Sequence, residues 1–225
     1  MTATVAASSK SSTHSTGTSQ PAGLSEWLKK PENRWIAGGV AVALVAASVW
    51  FVTMSGKRKD EFASRALDEA RAAGEAGNLP LAASEFQKVI TTYSGTAAAQ
   101  EAVINLNQVR LINGQQELAA VNLQDFIKSN PMPQFKGPAY GLLGRAYENS
   151  KRPGEAATAY ENAAREAEHD YLKADLLLDA GRAWANAGEK DKAIAAYRKV
   201  IKDYAETASK VEAQVRLAEL TAGAM

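Results

Sequence analysis

Residues 140–164 read YGLLGRAYENSKRPGEAATAYENAA, and residues 177–201 read LLDAGRAWANAGEKDKAIAAYRKVI. Slid over one another by 37 residues, the two segments place Gly144 on Gly181, Tyr147 on Trp184, Ala156 on Ala193 and Tyr160 on Tyr197. The same step extends upstream. Ala82, Ala119, Ala156 and Ala193 stand 37 residues apart, and Phe86, Leu123, Tyr160 and Tyr197 follow them by four. Val89, Phe126, Ala163 and Val200 come next, each followed by Ile90, Ile127, Ala164 or Ile201. Offsets of 0, +4, +7 and +8 mark one face of an α-helix. Before each of these helices the chain has a stop, at Gly77, Gly114 and Gly188, with Lys151 holding that place in the third unit. Glycine suits a helix end because it accepts the left-handed conformation. Pro80 and Pro153 suit the next helix start.

Each unit also carries an earlier helix. The third has Tyr140, Leu143, Gly144 and Tyr147, and the fourth Leu177, Ala180, Gly181 and Trp184. The second is degenerate (Val103, Leu106, Asn107, Arg110), and the first holds small or polar residues (Ala66, Glu69, Ala70, Ala73). A small residue beside a large one lets two helices approach closely. Gly137-Pro138-Ala139-Tyr140-Gly141 reads as a helix start. The pattern predicts an all-α solenoid of about four helix pairs at 63–99, 100–136, 137–173 and 174–210. A solitary helix over 208–220, with Val211, Val215 and Leu217-Ala218 on one face, is expected to cap the stack, as a repeat array requires.

The spacing of Tyr140, Leu143, Gly144, Tyr147, Ala156, Tyr160 and Ala163 resembles the tetratricopeptide repeat throughout one unit, and Leu177, Gly181, Trp184, Ala193 and Tyr197 match most of a second. The period usual for that family is about 34. The surplus falls between helix pairs, in Thr92-Tyr93-Ser94-Gly95-Thr96 and Asp203-Tyr204-Ala205-Glu206-Thr207. Such linkers resemble those of bacterial cell-envelope members, including the TolA-binding and BamD-like proteins. The complete absence of cysteine argues against a BamD-like lipoprotein. A short tail, one membrane helix and an Ala-rich repeat domain together resemble the YfgM-like proteins, ancillary partners of the secretion translocon.

The anchor is expected at Trp35–Gly56, WIAGGVAVALVAASVWFVTMSG, where 22 residues carry no charge. At 1.5 Å per residue this is roughly 33 Å of helix, close to the bilayer core. Trp35 and Trp50-Phe51 lie near its ends, and Lys29, Lys30, Arg34 and Lys57, Arg58, Lys59 flank it. An uncleaved anchor fits better than a signal peptide, because the polar lead-in is long and Val45-Ala46-Ala47 is a mediocre cleavage site. Residues 1–34 read as a disordered tail, poor in large apolar side chains, and 57–225 as the repeat domain. With Arg65 counted on the C-terminal side, the flanking charges nearly tie and lean slightly against export of the large domain. The resemblance to envelope proteins tips the expectation to a periplasmic repeat domain on the bacterial inner membrane.

Composition excludes several other roles. The net charge is +1, and no aromatics interleave with a basic run, so nucleic acid is not an expected partner. Without cysteine, thiolate metal sites and cysteine nucleophiles are excluded. The two histidines, His14 and His169, have no partner at ligand spacing, and no Gly-rich phosphate loop is present. No catalytic residue, cofactor or metal is therefore expected, and the chain is read as a non-enzyme. Carboxylates such as those in Glu189-Lys190-Asp191-Lys192 read as solvated helix faces.

Binding remains. The resemblance implies a concave groove lined by the first helix of each unit, with candidate residues Gln108, Leu111, Ile112, Arg145, Asn149, Arg182 and Asn186. Arg145 with Asn149, and Arg182 with Asn186, are four apart and share a helical face. They could hold an extended peptide backbone or a carboxylate. The expected function is a membrane-anchored adaptor that binds proteins or peptides in this groove, translocon-associated or chaperone-like toward exported chains. The alternatives are a self-assembling scaffold, favoured by a small-residue stripe at Gly39, Ala43 and Ala47, and a recruitment platform facing the cytoplasm.

Overall fold

The alanine-anchored periodicity becomes a run of antiparallel helices whose ends are set by repeated caps. The computed structural model describes residues 31–222; the side chains at 31–37, 41, 51, 52 and 55 fall outside the description. The expected tail at 1–34 lies almost wholly outside the described residues, and the expected membrane span at 35–56 lies partly outside them. Nine helices are present among the described residues, with no strand: α1 (Pro31–Glu75), α2 (Leu79–Thr92), α3 (Ala97–Ile112), α4 (Gln116–Lys128), α5 (Pro133–Asn149), α6 (Pro153–Glu166), α7 (Asp170–Asn186), α8 (Lys190–Asp203) and α9 (Ser209–Thr221).

The chain divides into two units, Met1–Met54 and Ser55–Met225. In the first, Val40, Val42, Leu44, Val45, Val49, Trp50 and Met54 are all exposed along the helix. Among the described residues no helical stretch is long and apolar enough to cross a membrane.

In the second unit, four turns repeat one hydrogen-bond pattern. Gly77, Gly114, Lys151 and Gly188 all have positive φ, from 57° to 79°. The N–H after each reaches back five residues to a helix carbonyl: Asn78 to Ala73, Gln115 to Arg110, Arg152 to Tyr147 and Glu189 to Trp184, at 2.8–3.0 Å. The reach-back bonds satisfy carbonyls that a helix end otherwise orphans. Between pairs, Thr96 and Thr207 donate to the carbonyls of Tyr93 and Tyr204, both at 2.8 Å, and Thr96 also caps α3 by accepting from the Ala99 N–H. These are the linkers that lengthen the repeat.

Inside each pair the alanines at the 37-residue step are fully buried, letting helices close on the large residue that follows. A Cβ placed on Gly144 would lie 2.6 Å from the Tyr160 ring, and one on Gly181 would lie 2.5 Å from that of Tyr197. The earlier units compensate volume at the same two places. Unit one has Ala70 and Phe86 at these positions, and unit two has Asn107 and Leu123; all four are buried. Asn107 is satisfied by its own helix and the next: its amide donates to Val103 O at 2.8 Å and to Asn122 Oδ1 at 2.7 Å, and its oxygen accepts from Arg110. The apolar core is correspondingly in two clusters, one across α1–α3 and one from Leu111 through α9.

Two expectations are corrected. Helix α5 begins at Pro133, four residues before the expected start, so Pro138 lies inside it. Two prolines compete for the start, and the first takes the N1 position, where its missing N–H costs nothing. The capping helix α9 forms as expected and packs Leu217 of the expected face on the core, but it is rotated so that Val211 and Val215 point away. Ala213 is buried, with Leu217 and Leu220 packed on the core, whereas Val211 and Val215 are 65% and 51% exposed. Val211 and Ala218 stand 37 residues after Ala174 and Gly181. In the fourth unit Gly181 closes on the second helix through Tyr197; among the described residues no helix follows α9 to cover the corresponding face.

Candidate functional site

The first, or inner, helix of one unit packs on that of the next in two places. Helix α3 packs on α5 and α7 on α9, whereas no two second helices pack on one another in this way. The residues that face out from the inner helices follow the 37-residue step as rows. One row is Arg71, Gln108, Arg145, Arg182; the next is Glu75, Ile112, Asn149, Asn186. Of the predicted residues, Gln108, Ile112, Arg145, Asn149, Arg182 and Asn186 are exposed on this side. Gln108 and Ile112 share a hollow of about 360 Å³ with Arg71 and Glu75.

Leu111 is not a groove residue. It is 8% exposed and belongs to the main core with Ala119 and Leu123. Its counterparts at the 37-residue step, Glu148 and Ala185, are half-buried, so that row faces inward in all three units.

The two arginines differ. Arg182 lies 3.0 Å from Asp179 Oδ1 and 3.5 Å from Glu148 Oε1, and Glu148 Oε2 accepts a 2.6 Å bond from the Tyr160 hydroxyl. This network joins α5, α6 and α7. Burial pushes the Asp179 carboxyl up, with Arg182 pulling it back down. Burial also acts to lower Arg182, but the attraction of Asp179 and Glu148 outweighs it and raises the guanidinium. Arg145 is exposed and forms no ion pair among the described residues. It is therefore available to a ligand, while Arg182 is already engaged. The sequence pattern marks both arginines as groove residues and Tyr160 as a repeat position, but it does not mark Glu148 or Asp179, or bring these two together with Arg182 and Tyr160 from three helices.

Tyr147 and Trp184 tie each inner helix to the preceding unit. Gln124 donates to the Tyr147 hydroxyl, and the Trp184 indole donates to Glu161 Oε1 at 2.8 Å. Arg152 and Lys192 sit over the two rings at 4.6 and 4.2 Å, a favourable placement for a cation.

A family described as tetratricopeptide repeat-like domain matches residues 44–179, more than half of the chain. The chain belongs to that family. A second family, the tetratricopeptide repeat, matches residues 175–207 and so covers the last helix pair. Among solved structures, the crystal structure of MamA protein is similar over 72% of this chain and 82% of that one, with 21% identity and a TM-score of 0.58. That likeness shows the fold. No curated protein matches the chain. Tetratricopeptide repeats suggest a role in protein–protein interaction.

The Tyr160 contact has a measurable pH signature. Burial, and then the bond to Glu148, push its hydroxyl far above the usual tyrosine range. The folded state therefore favours the neutral phenol. Its contribution to stability is fully present below about pH 10, where an unfolded tyrosine ionises, and is lost as pH rises beyond that. Urea denaturation at pH 8 and pH 11 is expected to show a smaller stability gap between wild type and Tyr160→Phe at the higher pH. A gap equal at both would contradict the assignment.

Proposed function

We propose that this protein is a membrane-anchored adaptor of the bacterial cell envelope, binding extended segments of other proteins in the groove of its inner helices. It acts by binding and not by catalysis. The observation that carries the reading is the pair of exposed inner rows, above all Arg145 and Asn149, which offer a free guanidinium and a free amide one helical turn apart. An extended peptide presents unpaired carbonyls and N–H groups that such side chains satisfy.

The anchor reading is supported by the uncharged run from Trp35 to Gly56 and by the large apolar side chains exposed along α1 in the first unit. In water such a surface is unfavourable by roughly 25 cal/mol per Å²; in a bilayer it is not. With the repeats in the periplasm, the groove meets exported chains beside the membrane, and the membrane helix contacts a protein translocase, as the likeness to YfgM-like proteins suggests.

Full-length protein is to be recovered from crosslinked membranes, beside an Arg145→Glu/Asn149→Ala variant. Envelope or exported proteins captured by wild type are expected to fall at least tenfold with the variant. Undiminished capture would overturn the groove reading. A reporter active only outside the cytoplasm, fused after Met225, is expected to give signal; signal from a cytoplasm-only reporter would overturn the periplasmic placement.

A further inference from the structure

The third unit departs from its neighbours on the groove floor. Ile104 and Leu178 stand 37 residues either side of Gly141 and are partly buried on the core. Gly141 supplies no side chain there, and α5 and α7 do not pack together as α3 with α5 and α7 with α9 do. Between them is a cavity of about 310 Å³, walled by Gly137, Pro138, Gly141, Leu172 and Leu176. That volume is at the lower end for ligand sites.

Three features of the rim specify an occupant. Glu166 and Glu168 line the opening, both exposed and without an ion pair among the described residues. His169, also on the rim, stacks on Tyr171, centroids 5.6 Å apart and planes 10° apart; Tyr171 is 59% exposed. An exposed aromatic face beside carboxylates favours a cation. Pro138 has no N–H, so the carbonyl of Gln134, which also lines the cavity, lacks its helical donor four residues on. That carbonyl can accept from the backbone of a bound segment.

We infer that this cavity is an anchor pocket for one large apolar side chain, leucine or aromatic, presented by a partner segment with lysine or arginine on either side of it. The inference rests on the groove reading and names which segments the groove selects. The apolar walls bury the side chain, and the two glutamates and Tyr171 receive the flanking charges.

The test uses full-length protein in nanodiscs and a fluorescein-labelled peptide, Gly-Lys-Lys-Trp-Lys-Lys-Gly, read by polarisation at low salt. Replacing its tryptophan by alanine, or its lysines by glutamates, is expected to weaken binding at least tenfold. Gly141→Leu fills the cavity with a residue its neighbouring units already use. A Cβ there lies 3.7 Å from Leu176 Cδ2, an ordinary contact, so the fold is kept while peptide binding falls at least tenfold. Glu166→Lys/Glu168→Lys is expected to reverse the preference toward the glutamate-flanked peptide. Binding that survives Gly141→Leu but is lost in Arg145→Ala/Asn149→Ala would overturn the pocket and leave the groove standing. Equal binding of lysine- and glutamate-flanked peptides would overturn the occupant assigned. No binding of any of these peptides would overturn the pocket, and capture of partners through Arg145 would then decide the groove separately.

Discussion

Tyr160→Ala is expected to lower the stability of the repeat domain by about 3–5 kcal/mol, the range for removing a large buried ring. Tyr160 is 2% exposed, its ring lies against Gly144, and its hydroxyl bonds to Glu148. The converse substitution, Gly144→Ala, should also destabilise. Alanine favours the helix by about 1 kcal/mol over glycine, yet its Cβ would meet the ring at 2.6 Å, with the ring wedged between helices. Overpacking costs about 1–3 kcal/mol, and three ring atoms within 3.0 Å place this case above the low end, so the net change is a loss of up to about 2 kcal/mol. Combining Gly144→Ala with Tyr160→Leu should recover part of the Tyr160→Leu deficit, because the earlier units fill this position by pairing a larger residue on one helix with a smaller one on the other. Thr158→Ala, exposed on the same helix, should stay within about 0.5 kcal/mol of wild type. Urea denaturation of the full chain in mild detergent, followed by circular dichroism, checks all four. A stable Gly144→Ala would show that the close approach does not hold the pair together.

The second large effect concerns the anchor. Leu44→Arg is expected to shift the protein from the membrane to the soluble fraction. On insertion scales, exchanging leucine for arginine at the centre of a span costs about 3–4 kcal/mol, a hundredfold or more in partition. Leu44 is 64% exposed on α1 and Val45 65%, so neither change disturbs a packed core. Leu44→Arg/Val45→Asp should release the protein more fully. Leu81→Arg, at an apolar residue 45% exposed on α2, should leave the membrane fraction unchanged. Carbonate extraction followed by immunoblotting separates the cases. A wild-type protein extracted by carbonate, or a double variant that stays in the pellet, would contradict the anchor.

The parts of the fold legible in sequence are those where one residue type is forced by one contact. Gly144 and Gly181 stand out because a ring leaves no room for a Cβ, and Gly77, Gly114 and Gly188 because the turn needs positive φ. Asn107 looks degenerate in sequence, yet it is buried at the place of Gly144 and is satisfied by hydrogen bonds to Val103 and Asn122. What was not legible depends on neighbours. The family resemblance places Leu111 in the groove, whereas its row points inward. Val211 and Val215 look like a buried stripe, but among the described residues no second helix covers their face. The Tyr160–Glu148–Arg182–Asp179 network joins three helices at no fixed spacing. The pocket beside Gly141 is visible only when that glycine is set against Ile104 and Leu178.

The central claim, that the inner helices bind other proteins, is tested most directly by placing a photo-crosslinking amino acid at single positions in the full-length, membrane-embedded chain. Ile112 and Asn149 report on the groove, and Val121 and Thr158 on exposed positions of the second helices. The account predicts protein adducts from Ile112 and Asn149 that disappear when Arg145→Glu is added, with few from Val121 or Thr158. Adducts mainly from Val121 and Thr158, or adducts from Ile112 that are indifferent to Arg145→Glu, would contradict it.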